Sequence, residues 1–322
     1  MKFKSLLAIL SVFTILFLAA CGNNNEQDET ADKEKEGSKT ENTGYTVEHA
    51  MGTTKLDKTP EKVVILTNEG TEALLSMGVT PVGAVQSWTG DPWYEHIAED
   101  MKDVQVVGTE SEVNVEAIAA LQPDLIIGNK MRQEKIYDQL NDIAPTVFAE
   151  TLRGDWKENF ELYAKALNKE EEGKKVLADY DSRIQEIKTS LGDKINQEVS
   201  IVRFMAGDVR IYHKDTFSGV ILDQIGFARP ESQNVDDFAE KNATKERIPA
   251  MDGDILFYFT YETGDGEASQ LEKEWIEDPL FKNLKVSQDG NVHKVNDTIW
   301  NTAGGVIAAN LLLDDIEKYF SK

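Results

Sequence analysis

The sequence predicts an α/β protein of two lobes, each built on a parallel-rich sheet, joined by one long rigid helix. Three observations carry that expectation. Asn114 to Gly128 (NVEAIAALQPDLIIG) and Thr244 to Tyr258 (TKERIPAMDGDILFY) are near-repeats. Glu116, Ile118, Ala120 and Asp124 recur as Glu246, Ile248, Ala250 and Asp254, with apolar runs Leu125 to Ile127 and Ile255 to Phe257 behind them. Each copy reads as a short amphipathic helix with an early Glu, stopped by Pro or Gly, and an Asp that opens a buried strand. Strand and helix patterns also alternate through both halves, as in sheets covered by helices. Between the halves, Leu177, Tyr180, Ile184, Ile187 and Leu191 recur at steps of three and four, with no Pro or Gly from Lys174 to Leu191. That spacing predicts one stiff helix of about five turns, roughly 25 to 30 Å long.

Taken in order, residues 1–20 are a targeting segment: Lys2 and Lys4 precede an apolar run from Leu6 to Ala20 that is too short and wrongly flanked to span a membrane. Leu18-Ala19-Ala20-Cys21 resembles a lipobox, where a lipoprotein precursor is cleaved and its new N-terminal cysteine lipidated. Cys21 is the only cysteine, which excludes an intramolecular disulfide and a thiolate metal site. A lipid there would anchor the chain to a membrane without a basic patch. The remainder of 21–44 is polar, with no aromatic or branched aliphatic residue, and reads as an acidic tether. A formal charge of −24 argues against nucleic acid or anionic headgroups as partners.

The first lobe (45–160) opens with the buried strand Lys62 to Thr67, a Gly70 loop and a helix from Thr71 to Met77 closed by Gly78. Val79 to Val85 and Val104 to Val107 read as further strands, with a loop carrying Trp88 and Trp93 between them. The first repeat unit follows, then a helix through Ile136 and Leu140, and a strand over Pro145 to Phe148. After the inter-lobe helical region (161–193), the second lobe (194–322) repeats the plan. Its strands are Glu198 to Phe204 and Val209 to His213, its next helix Phe217 to Ile225, closed by Gly226. The second repeat unit, a Trp275/Phe281 helical region, the strand Val292 to Val295 and a helix from about Ala303 to Phe320 complete it.

From Tyr45 onward the chain resembles the ferric-siderophore and cobalamin binding lipoproteins of bacterial ABC importers. The resemblance rests on Lys62-Val-Val-Ile-Leu before the Thr71 helix, the Glu116 and Glu246 segments, and Val209-Arg-Ile-Tyr-His213 before Phe217-Ser218-Gly219. It implies Rossmann-like lobes of the helical-backbone (class III) kind, a ligand groove between them at the carboxyl ends of the strands, and small lobe movements. It also implies that Glu116 and Glu246 dock arginines of a two-subunit or homodimeric permease served by an ATPase, with the receptor a monomer on the outer face of a Gram-positive cell membrane. An exposed Glu favoured by the helix dipole is the alternative.

Groove residues should follow strands. The candidates are Trp88, Trp93, Lys130 and Arg132 in the first lobe, and Arg203, Arg210, Tyr212, His213, Phe259, Tyr261, Trp300 and Asn301 in the second. Arg203, Arg210 and Trp300 stand foremost. Aromatics and cations suit a ferric siderophore, whose own oxygens hold the iron, so no cofactor and no protein metal ligand are expected. A few cations among Trp and Tyr favour a hydroxamate or citrate-hydroxamate chelate over a tris-catecholate. A direct zinc or manganese site would need more than His49, His96, His213 and His293. Cobalamin and haem stay open as alternatives. A secreted hydrolase is less favoured, because Ser218 has no nucleophile elbow and Gly304-Gly305 lacks a phosphate-loop ending.

Overall fold

The computed structural model describes residues 44–320, apart from 153 and 155. The expected signal segment, Cys21 and all of the tether except Gly44 lie outside the described residues. The first element was not expected: β1 (Tyr45–His49) and β2 (Gly52–Leu56) form an antiparallel hairpin, with His49 paired to Gly52.

In the first lobe, β3 (Val63–Ile65), β4 (Gly83–Ala84), β5 (Gln105–Val106), β6 (Leu125–Asn129) and β7 (Thr146–Ala149) make a sheet of order β5-β4-β3-β6-β7, parallel throughout. Helix α1 (Asn68–Ser76) links β3 to β4, and α2 (Val115–Leu121) links β5 to β6. Helix α1 starts three residues earlier than its apolar pattern suggests, because Thr67 caps it by accepting from the Gly70 N–H at 3.1 Å. After β6 come two short helices, α3 (Lys130–Gln133) and α4 (Tyr137–Asn141). Helix α5 (Trp156–Ala166) then leads into α6 (Glu170–Leu191), the expected long helix, one turn longer at its start. The five apolar residues that predicted α6 are its buried ones, joined by Gly173. A Cβ on Gly173 would lie 2.6 Å from that of Ala164, so α5 and α6 touch through their small residues.

In the second lobe, β8 (Val199–Met205), β9 (Asp208–Tyr212), β10 (Ala239–Glu240), β11 (Ile255–Tyr261) and β12 (Val292–Lys294) give the order β10-β9-β8-β11-β12. Here β8, β11 and β12 are parallel, whereas β9 returns antiparallel from a tight turn in which Gly207 takes a φ of +69°. Helix α7 (Phe217–Ile225) follows β9, and α8 (Glu267–Ile276), α9 (Pro279–Lys282) and α10 (Lys285–Gln288) cover the far side. The second repeat unit departs from the expected α-helix: Pro249 leaves Lys245–Met251 as a 3₁₀ helix. A π-helical turn, Thr298–Thr302, precedes the closing helix α11 (Val306–Phe320).

Strand alternation sorts the core. Val202, Phe204, Val209, Ile211 and Leu256 point into a cluster under α8 to α10. Their neighbours Val199, Ile201, Tyr212, Phe257 and Phe259 point the other way, into one large cluster shared with Ile65, Leu74 and Ile127 of the first lobe and Leu177 to Leu191 of α6. The repeated Asp has one task in both lobes. The Asp124 carboxylate accepts from the N–H groups of Glu61 and Lys62, and its own N–H reaches the Lys62 carbonyl; Asp254 does the same to Glu198. Each Asp thereby ties the start of one central strand to the start of the next.

The closing helix packs on α1 and α6, so the end of the chain returns to the first lobe. Glu72 of α1 accepts from the Ala308 N–H at 2.8 Å inside the first turn of α11, and its other oxygen lies 2.5 Å from His96 Nε2. Gly305 permits this close approach, since a Cβ there would lie 2.6 Å from the Glu72 carboxylate.

Candidate functional site

Between the lobes, at the carboxyl ends of their strands, lies a cleft of about 480 Å³. Its size is that of a small-molecule site. From the first lobe it is lined by Glu69, Trp88, Glu110, Met131 and Arg132, and from the second by Arg203, Met205, Arg210, Lys241 and Tyr261. Leu152, Phe217, Phe238 and the segment Asn301 to Gly304 complete the wall.

The second-lobe wall follows from strand geometry. Arg203 faces Arg210 across β8 and β9, and Phe259 and Tyr261 stand opposite Arg203 and Met205 on β11, so all five share one face. Along that face the residues change from apolar to polar toward the carboxyl ends. Phe259 and Tyr212 sit lower and are fully buried, whereas Tyr261, two residues and roughly 7 Å further along, reaches the cleft. Two arginines opposite each other repel, and each has a carboxylate to offset this. Arg203 donates from Nε and a terminal nitrogen to Asp297 at 2.7 and 3.2 Å and from the other to Tyr212 Oη at 3.3 Å; Arg210 Nε donates to Asp208 at 2.6 Å.

Three cations of the cleft lie over aromatic rings: Arg132 over Trp88 at 5.8 Å, Arg203 over Tyr261 at 4.9 Å and Lys241 over Phe238 at 5.2 Å. In the first lobe, Glu110 accepts from the Asn68 backbone and side chain at 2.7 and 2.9 Å, takes a hydrogen bond from Trp88, and stands 3.7 Å from Arg132 Nε. Burial pushes the Glu110 carboxyl above the usual carboxylate range, although the Asn68 bonds and Arg132 pull the other way. Glu69 accepts from Asn159 and Tyr163 at 2.7 and 2.8 Å. The lobes also meet behind the cleft, where Thr89 pairs with Thr298 at 3.0 Å and Tyr94 donates to the Thr302 carbonyl at 3.0 Å.

Of the twelve expected groove residues, six line the cleft and six are placed elsewhere by clear physical causes. Trp88, Arg132, Arg203, Arg210, Tyr261 and Asn301 line the cleft. Trp300 is core: its ring packs 4.6 Å from Phe257 and its indole N–H donates to Asp315 at 2.9 Å. Trp93 is buried in the shared cluster, as are Tyr212 and Phe259. His213 is buried beside the sheet with Nδ1 on Asp237. Lys130 turns away to Glu150 at 2.9 Å, because α3 begins there and residues two apart on a helix point about 200° from each other. Arg132 and Lys130 cannot both face the cleft. Glu69, Glu110, Phe217, Phe238 and Lys241 were missed; the two glutamates are indistinguishable by eye among 58 acidic residues. Glu116 and Glu246 are both exposed, in the first turns of α2 and of the Lys245–Met251 helix. Among the described residues no group of three or more His, Cys, Asp and Glu is placed to hold a metal ion.

Comparison with known proteins fits this architecture. Residues 63–297 match the model of the Periplasmic binding protein family. The chain belongs to that family. It is 53% identical over 329 residues to the Probable siderophore-binding lipoprotein YfiY of Bacillus subtilis, covering 99% of each chain. It is 29% identical over 320 residues to the Fe(3+)-citrate-binding protein YfmC of the same organism, covering 98% of this chain and 97% of the other. Among solved structures, Staphylococcus aureus SirA complexed with staphyloferrin B superposes with a TM-score of 0.80 at 35% identity, over 86% of this chain and 98% of that one. The expected family and fold class are therefore those found.

Proposed function

We propose that this chain is the solute receptor of an ABC importer, taking a ferric siderophore into the inter-lobe cleft and handing it to a permease. The observation that carries the reading is the cleft itself, where arginines from both lobes and Lys241 stand over aromatic rings. Such a wall offers flat apolar surface to a chelate's linkers and positive charge to its anionic oxygens. Relatives named for siderophore, ferric citrate and staphyloferrin B support the same class. Within it, a citrate-hydroxamate chelate fits a wall of a few separated cations better than a tris-catecholate does.

The receptor is a monomer held by a lipid on Cys21 to the outer face of the cell membrane of a Gram-positive bacterium, as the lipobox resemblance and lipoprotein relatives support. Glu116 and Glu246, exposed at equivalent places on the two lobes, meet the two permease subunits. It binds without catalysis. The Ser218 Oγ and His213 Nε2 are both buried without a hydrogen-bond partner among the described residues, so they do not form a nucleophile–base pair, and neither lines the cleft.

Intrinsic-fluorescence titration with ferric aerobactin, ferric citrate, ferrioxamine B, ferric enterobactin, haem and cobalamin tests this reading. Saturable one-to-one quenching by aerobactin, with intact chelate recovered afterwards, is expected. Tight binding of enterobactin alone would move the ligand class to catecholates, and binding of haem or cobalamin alone would overturn the siderophore reading.

A further inference from the structure

Resting on that receptor reading, the surroundings of Arg203 say how an anionic ligand would be recognised. Asp297 lies just ahead of the π-helical turn, buried, and grips Arg203 with both oxygens. The same carboxylate accepts from the Thr302 hydroxyl at 3.0 Å, and Thr302 is itself part of the cleft wall. One carboxylate therefore fixes a strand-borne cation and the turn beside it. Tyr212 takes a third N–H and Tyr261 covers the guanidinium face. A guanidinium has five N–H donors. Three are engaged among the described residues, which leaves two for an acceptor entering the cleft.

We propose that Asp297 is a positioning residue that sets ligand specificity: it aims the remaining Arg203 donors at a carboxylate or α-hydroxycarboxylate oxygen pair of the chelate. A bidentate fork already held in place gives up little side-chain freedom when ligand arrives, so selectivity for an anionic face comes from orientation as much as from charge. The charge on Arg203 alone would attract any anion; the fixed fork prefers a planar oxygen pair.

The test compares wild type with Asp297→Asn, Asp297→Glu and Thr302→Val, each titrated with ferric aerobactin and ferric citrate, which carry carboxylates, and with ferrioxamine B, which carries none. Asp297→Asn should weaken the two carboxylate chelates about tenfold and ferrioxamine B less than twofold. Asp297→Glu should recover part of the loss, and Thr302→Val should cost a few-fold. A separate reading comes from the ¹⁵N-edited NMR signal of the Arg203 Nε–H, which should exchange slowly in wild type and rapidly in Asp297→Asn, with the Arg132 signal unchanged. Equal losses for all three chelates, or Asp297→Asn binding like wild type, would overturn the positioning role. Wild-type protein that binds none of the three overturns the receptor reading for these classes, and the proposal with it. Should Asp297→Asn fail to fold, Thr302→Val and Asp297→Glu decide: no chelate-dependent difference in either rejects the role.

Discussion

The two lobes share a strand order and differ most tellingly in the connection from the first strand to the second. In the first, β3 passes through α1 before β4 forms, so a helix N-terminus arrives at the cleft and brings Glu69 with it. In the second, β8 folds straight back into β9, and the cleft receives the strand residues Arg203 and Arg210 instead. Packing features survive the comparison: the Asp124 and Asp254 ties and the apolar runs behind them are alike. The chemistry does not. One wall carries two buried carboxylates and a single arginine, the other two arginines and a lysine. The duplicated part is scaffold, and the connections decide what each lobe presents.

The sharpest test of that asymmetry is charge removal on each side. The Arg203 side chain is 7% exposed and doubly held, whereas that of Arg132 is 41% exposed with its carboxylate 3.7 Å away. Arg203→Gln should therefore weaken binding of a carboxylate chelate by about 2 to 3 kcal/mol, against about 0.5 to 1 kcal/mol for Arg132→Gln. Equal losses measured by titration would erase the distinction between the walls. Next in size, the paired change Glu116→Ala with Glu246→Ala should cut iron uptake by about tenfold while chelate affinity stays within twofold. Unchanged uptake would return both glutamates to ordinary helix starts.

Smaller effects bear on the shared scaffold. Asp124→Ala and Asp254→Ala should each cost about 1 kcal/mol in urea unfolding, Asp124 slightly more because two backbone N–H groups reach it at 3.0 and 3.2 Å. Burial opposes ionisation of Asp124, but the bonds from Glu61 and Lys62 and the nearby lysines outweigh it; at Asp254 the Glu198 N–H dominates. Both carboxyls thus titrate below their ordinary value. Their contribution is present above about pH 4 and lost as pH falls through the lowered folded values, so the penalty of either substitution should shrink as the pH is taken below about 4. Glu110 runs the other way: its pKa is raised, so its charge destabilises the fold above that pKa. Glu110→Gln should unfold no more easily than wild type at pH 8, and relative to wild type its advantage should fade in acid.

Much of this fold was legible because buried strands and α6 announce themselves by unbroken or periodic apolar residues. The N-terminal hairpin did not: Val47 is the only fully buried residue in β1, and the rest of the hairpin is largely polar. Pro249 was visible, but its effect depended on whether seven residues could still close a helical turn. For the cleft, the rule that function follows strand ends found the right face without its height. Phe259 and Tyr261 look equivalent in sequence, and only register against Arg203 and Met205 separates floor from wall. Trp300 was misplaced because its partner Asp315 lies a turn and a helix away. Carboxylates such as Asp297 and Glu110 became visible only through the arginines they hold.

The return of α11 to the first lobe has a consequence for the order in which the molecule is made. The surface of α1 that it covers, including the Glu72 oxygen that accepts from Ala308, has no partner until α11 has been synthesised. An N-terminal lobe emerging by itself is therefore incomplete, and its apolar flank stays open while the rest of the chain is synthesised. The closing helix therefore locks both halves at once, and only when it is in place.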